Sequence, residues 1–173
     1  MAKQILNFGI LFIILVLVQV LVCNNISIFN VATPFIFIYI IARLPINTNI
    51  NLMMTISFFT GLIVDIISTA HGMNALACTL LGTIRNPIID LYVTRKEEIT
   101  DPIPSIRSLG IGVYMKYLVS IVLFYCCIIT AIELFSVRNI LSALLRIVGS
   151  TAISFIILLG IDSIVNTRNE KRL

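Results

Sequence analysis

An all-α, polytopic integral membrane protein, a bundle of about six transmembrane helices in one domain spanning 1–173, is the fold class this sequence predicts. Three observations predict it. Hydrophobic residues make up 59% of the 173-residue chain and charged residues only 12%, about half the charge a soluble domain carries. Apolar runs long enough to cross hydrocarbon recur from end to end. The basic residues gather in the polar links between those runs instead of forming one patch, so the net charge of +4 reads as membrane topology and not as a nucleic-acid footprint. A chain this short has too little polar surface to shield that much apolar area from water, and membrane lipid is the surrounding it needs.

The first predicted span, 5–23, is apolar on every face except at Asn7 and Gln19. It is long enough to cross hydrocarbon, and no small-residue cleavage site follows it, so it is expected to be a span and not a signal peptide. The second, 28–42, carries Pro34 near its start. A polar link with Pro45 leads to the third span, 52–70, which holds Asp65. The turn His71-Gly72 opens the fourth, 73–92, with Arg85, Asn86 and Pro87 inside it. Residues 93–108 are strongly polar and contain two prolines, the pattern of a solvated loop. The fifth and sixth spans, 109–135 and 140–165, are long enough to tilt.

With the N-terminus in the cytoplasm, Lys3, Arg43, Arg95, Lys96, Arg107, Arg168, Lys171 and Arg172 all fall inside and only Arg138 outside. Eight against one is a strong positive-inside bias, and six spans bring the C-terminus back to the same side. The expected location is a cytoplasmic (inner) membrane, crossed several times, with both termini cytoplasmic.

Helices in lipid associate through small residues and interhelical hydrogen bonds. Stripes at three- and four-residue spacing therefore mark expected contact faces: Ser57, Gly61, Asp65 and Ser68; Ala75, Cys78, Gly82 and Arg85; Gly112, Lys116, Ser120, Cys127 and Ala131; Ser142, Arg146, Ser150 and Ser154. The first two spans have weaker stripes and are expected to face lipid. Charges inside spans cost several kcal/mol when left alone. Asp65 and Arg146 lie at similar depth with opposite sign, which suggests a pair, although Asp65 could instead serve the turn at Gly72 or the amides opening span four. Arg85 and Lys116 sit toward the other side, with Asp90 and Asp162 nearer that interface.

The chain offers no second histidine for a metal cluster, no glycine-rich phosphate loop, and no serine or cysteine with a histidine placed to activate it. No enzymatic activity, cofactor or metal is expected. A proton path would need acids at successive depths, and the sequence supplies one deep acid. The four cysteines have neither metal-ligand spacing nor an outward-facing pair.

Residues 51–86 read N-L-M-M-T-I-S-F-F-T-G-L-I-V-D-I-I-S-T-A-H-G-M-N-A-L-A-C-T-L-L-G-T-I-R-N. This stretch resembles the rod shape-determining MreD family. It has a Gly-x-x-x-Asp element (Gly61, Asp65), a tight turn with Gly72, and the pair Asn74-Ala75 opening the next helix. Pro34 in the second span also matches the family pattern, whereas residues 93–173 match by architecture alone. The resemblance implies a non-enzymatic inner-membrane component of the bacterial rod complex (elongasome) for cell-wall elongation. Its direct partner would be MreC, and MreB, RodA and a class B penicillin-binding protein would belong to the same complex. The implied role is maintaining cell shape by coupling the MreB cytoskeleton to peptidoglycan synthesis. Pro34, Gly61, Asp65, Gly72, Asn74, Arg85 and Arg146 are the candidates for fold or partner-interface roles.

The alternative is the substrate-binding subunit of an energy-coupling-factor vitamin transporter, also a small helical bundle without catalytic groups. Such subunits carry an Ala-x-x-x-Ala docking element in the first helix and longer outer loops over the vitamin, and the first span here has no such element.

Overall fold

The computed structural model describes residues 2–23, 33–46, 48–68, 72–93, 103–134 and 140–170. Every regular element among them is helical. Helix α1 covers Ala2–Val18 and widens into a π turn over Gln19–Cys23. Next come α2 (Ile38–Ala42), α3 (Ile50–Ser68), α4 (Met73–Tyr92), the one-turn α5 (Ile106–Leu109), α6 (Ile111–Leu134) and α7 (Ile140–Glu170). Three of them are long and apolar enough to cross a membrane, over Ile50–Ser68, Ile111–Glu133 and Ala143–Val165. At 1.5 Å per residue, a 19-residue α3 reaches about 28 Å, close to the thickness of a hydrocarbon core.

The long helices pack in sequence order, α3 on α4, α4 on α6 and α6 on α7. The stripes expected on α3 and α4 are buried: Ser57, Gly61 and Asp65 on one, Ala75, Cys78, Gly82 and Arg85 on the other. Ser105 caps α5 through a reciprocal capping box with Ser108, and Gly110, at φ +79°, turns the chain into α6.

Three expectations are corrected. Residues 28–42 do not form one helix in their described part, because Thr33–Ile36 are non-helical and only Ile38–Ala42 close helical turns. This segment does not face lipid either. Every residue from Ile36 to Ala42 is buried, most at 0–1% exposure, which makes it the centre of the core. On α6 the small-residue face is wrong: Gly112, Lys116 and Ala131 are exposed, and the buried face is Tyr114, Tyr117, Leu118, Ile121, Val122, Tyr125 and Cys126. Bulky tyrosines fill that interior because their hydroxyls find partners there, which a pattern of small residues does not reveal. His71, the side chains of Cys23 and Ser142, and most of the polar 93–108 loop lie outside the described residues.

Candidate functional site

The α3–α4 hairpin is built on its glycines. A Cβ at Gly61 would stand 2.5 Å from the Asn74 carbonyl oxygen and 2.6 Å from Ala75 Cα, so the first turn of α4 crosses directly over it. Gly72 sits at φ +80°, in the left-handed region that glycine alone adopts without a Cβ penalty, and places α4 antiparallel beside α3.

That crossing brings the opening amides of α4 onto Asp65. Ala75 N donates to Oδ2 at 2.7 Å, while Asn74 N and Nδ2 donate to Oδ1 at 3.2 and 2.8 Å. A buried carboxylate thus caps a neighbouring helix at its positive end, meeting backbone donors that have no partner within their own helix. Asn74 Oδ1 in turn accepts from the Tyr125 hydroxyl of α6 at 2.5 Å. Of the roles open to Asp65, the structure selects the amides opening α4.

Asp65 and Arg146 are not partners. Arg146 Nη1 donates to Glu133 Oε2 at 2.7 Å, with the two side chains 45% and 40% exposed. Both oxygens of Asp65 have donors in the next helix, whereas Arg146 lies on the open face of α7 beside the end of α6. Similar depth places two charges in one layer and says nothing about which helix faces they occupy.

The non-helical stretch before α2 has its backbone held by side chains. Thr33 N donates to Ser150 Oγ at 3.1 Å, Phe35 N to Ser154 Oγ at 2.8 Å and Ile36 N to Gln19 Oε1 at 2.7 Å. Gln19 Nε2 returns a bond to the Pro34 carbonyl at 3.0 Å. Pro34 falls between two pinned amides, at a position where its missing N–H leaves nothing unpaired. Irregular backbone in an apolar interior is stable only when satisfied in this way.

The other end of α2 is closed by Arg85 and tyrosines. Arg85, fully buried, donates from Nη2 to the carbonyls of Ala42 (3.3 Å) and Leu44, and from Nε to the Tyr117 hydroxyl at 3.0 Å. Tyr117 itself donates to the Ala42 carbonyl at 2.7 Å. A five-residue helix leaves its last carbonyls bare, and these donors cover that of Ala42 and that of Leu44 just beyond it. Lys116, placed beside Arg85 by sequence position, is exposed. Asp162 is fully buried within the bundle. Its Oδ1 accepts from Tyr39 at 2.7 Å and Tyr114 at 2.9 Å, and Arg43 donates to the Tyr39 hydroxyl at 2.9 Å while lying 5.6 Å from its ring centre.

Gln19 and Asp162, which the sequence marks as polar without assigning a partner, and the tyrosines, which it does not single out, hold most of this interior. The chain has five tyrosines, and the hydroxyl of each is hydrogen-bonded inside the bundle, the fifth being Tyr92 to Ser120 at 2.9 Å. A signal existed: Tyr114, Tyr117 and Tyr125 share one face of α6, and a buried tyrosine needs a partner. The donors and acceptors described above are committed to other parts of the chain. Among the described residues no group of three His, Cys, Asp or Glu side chains is placed to hold a metal ion. No family model, curated protein or solved structure matches the chain.

Proposed function

We propose that this chain is an MreD-type component of the bacterial rod complex, a non-enzymatic multi-pass protein of the inner membrane. In this reading it binds MreC and helps couple the MreB cytoskeleton to peptidoglycan synthesis by RodA and a class B penicillin-binding protein, maintaining cell shape. One observation carries the reading. Gly61, Asp65, Gly72 and Asn74, the residues on which the family resemblance rests, combine in one hairpin contact and not in a catalytic constellation. Three helices of spanning length and a chain-wide positive-inside bias support the membrane setting and cytoplasmic termini.

Affinity purification from native bacterial membranes tests the assignment. Recovery of a bitopic, coiled-coil partner with rod-complex enzymes is the expected outcome, and recovery of ATPase subunits would replace it with vitamin transport. Topology reporters at residue 100 and at the C-terminus should both report cytoplasm, and either one reporting the outside would reject the six-span, N-in arrangement.

A further inference from the structure

Residues 33–44 touch both polar ends of the molecule. At one end Phe35 and Phe37 pack edge-on against Tyr125, with ring centres 5.0 and 5.6 Å apart, and Tyr125 bonds the Asn74–Asp65 turn cluster. At the other, Tyr39 bonds Asp162, and the Ala42 and Leu44 carbonyls bond Arg85. Between these ends the segment follows α7. Ser150, Ser154, Leu158 and Asp162 lie on one i+4 ridge, all buried, and three of the four hold residues 33, 35 and 39 in order.

The spacing is matched. Four helical residues advance about 6 Å, and two residues of extended chain advance about 6.6 Å, so successive serines meet alternate amides. Only one register satisfies the ridge. A one-turn slip would set Leu158 against the Tyr39 hydroxyl and take Asp162 away from it, breaking a buried charge-assisted bond. The segment is therefore fixed against sliding along its length and attached at both ends.

We propose that residues 33–44, locked to the Ser150–Asp162 ridge, form an internal strut that makes the α3–α4 turn and the Asp162–Arg85 end one cooperative unit. A perturbation at either end loosens the other through the strut, in addition to whatever the shared helices α4 and α6 transmit. This property belongs to the fold and does not depend on the identity of the partner.

Hydrogen–deuterium exchange of the full chain in lipid nanodiscs tests it. Asp162→Asn should speed exchange at its own end and also, roughly tenfold, at the Asn74 and Ala75 amides, the scale set by removing the charge from the two bonds that Tyr39 and Tyr114 donate. Asn74→Ala should act in reverse on residues 38–42, because coupling between two sites is reciprocal. Tyr39→Phe, which leaves the Tyr114 bond to Asp162 in place, gives the same reading at smaller amplitude if Asp162→Asn fails to accumulate. Tyr92→Phe breaks a bond off the strut and should leave both ends unchanged. Faster exchange confined to the mutated end in every strut variant would overturn the proposal, as would Tyr92→Phe loosening both ends equally.

Discussion

The α3–α4 hairpin and the segment 33–44 are both buried and both held by polar side chains, yet they are assembled on opposite principles. In the hairpin the partners lie 9 or 10 residues apart, and each element is a regular helix. In the segment the partners lie 15 to 123 residues away, and the backbone before α2 has given up helical bonding in exchange for side-chain partners. A local motif can specify the first. The second exists only once α1, α4, α6 and α7 are in place, so its stability should depend on many weak, distant contacts where the hairpin depends on a few close ones.

The largest effect should come from breaking the hairpin at its narrowest point. Gly61→Leu forces a side chain into the backbone of Asn74 and Ala75, and even Gly61→Ala meets atoms that cannot rotate away. The alanine variant should cost about 3 kcal/mol or more and the leucine variant should fail to accumulate, read as thermal midpoint and yield in detergent. Leu62→Ile, on a neighbouring face, is the control that should be tolerated. Gly82→Ala sharpens the contrast. Its Cβ would stand 2.5 Å from Ser57 Oγ, which has no hydrogen-bond partner and can rotate, and 2.9 Å from Ser57 Cβ, which cannot, so a loss smaller than at Gly61, about 2 kcal/mol, is expected.

Next in size is the loss of a pin. Asp65→Asn removes the charge from three donated bonds and should cost about 2 kcal/mol, whereas Ser154→Ala removes one neutral bond to Phe35 N and should cost about 1 kcal/mol. Equal losses would erase the distinction between a concentrated and a distributed anchor.

Smaller still is the coupling between Asp65 and Arg146. Because Arg146 pairs with Glu133, Asp65→Asn and Arg146→Gln should add to within about 0.5 kcal/mol. Arg146→Gln with Glu133→Gln should show a coupling of about 0.5 kcal/mol, the scale of a half-exposed pair. Effects of neutral or opposite sign belong to Gly112→Ala and Gly160→Ala. Neither Cβ would meet another atom within 4 Å, so each should be neutral or gain up to about 1 kcal/mol of helix propensity. A marked loss at either would place an unseen neighbour there.

Most of the architecture was legible because lipid-scale hydrophobicity and short-range spacing are properties of a linear string. Helices overlie five of the six predicted spans, Met73–Tyr92 among them, and three are long and apolar enough to cross a membrane. The Gly61–Asp65–Gly72–Asn74 unit was legible for the same reason, since its parts lie within one helical hairpin. Arg146 was misassigned because depth is a one-dimensional quantity while pairing depends on which way a helix faces.

What the sequence determined by itself is the helical, lipid-scale composition of the chain, the order of its long helices and the close crossing at Gly61. Tertiary structure alone decided that 33–44 breaks its helix and occupies the centre. Ser150, Ser154, Gln19, Arg85 and Tyr117 supply the hydrogen bonds that a helix would otherwise have supplied to itself. Backbone groups in an apolar interior must be satisfied by something. Only the folded chain shows that partners more than a hundred residues away can meet that demand.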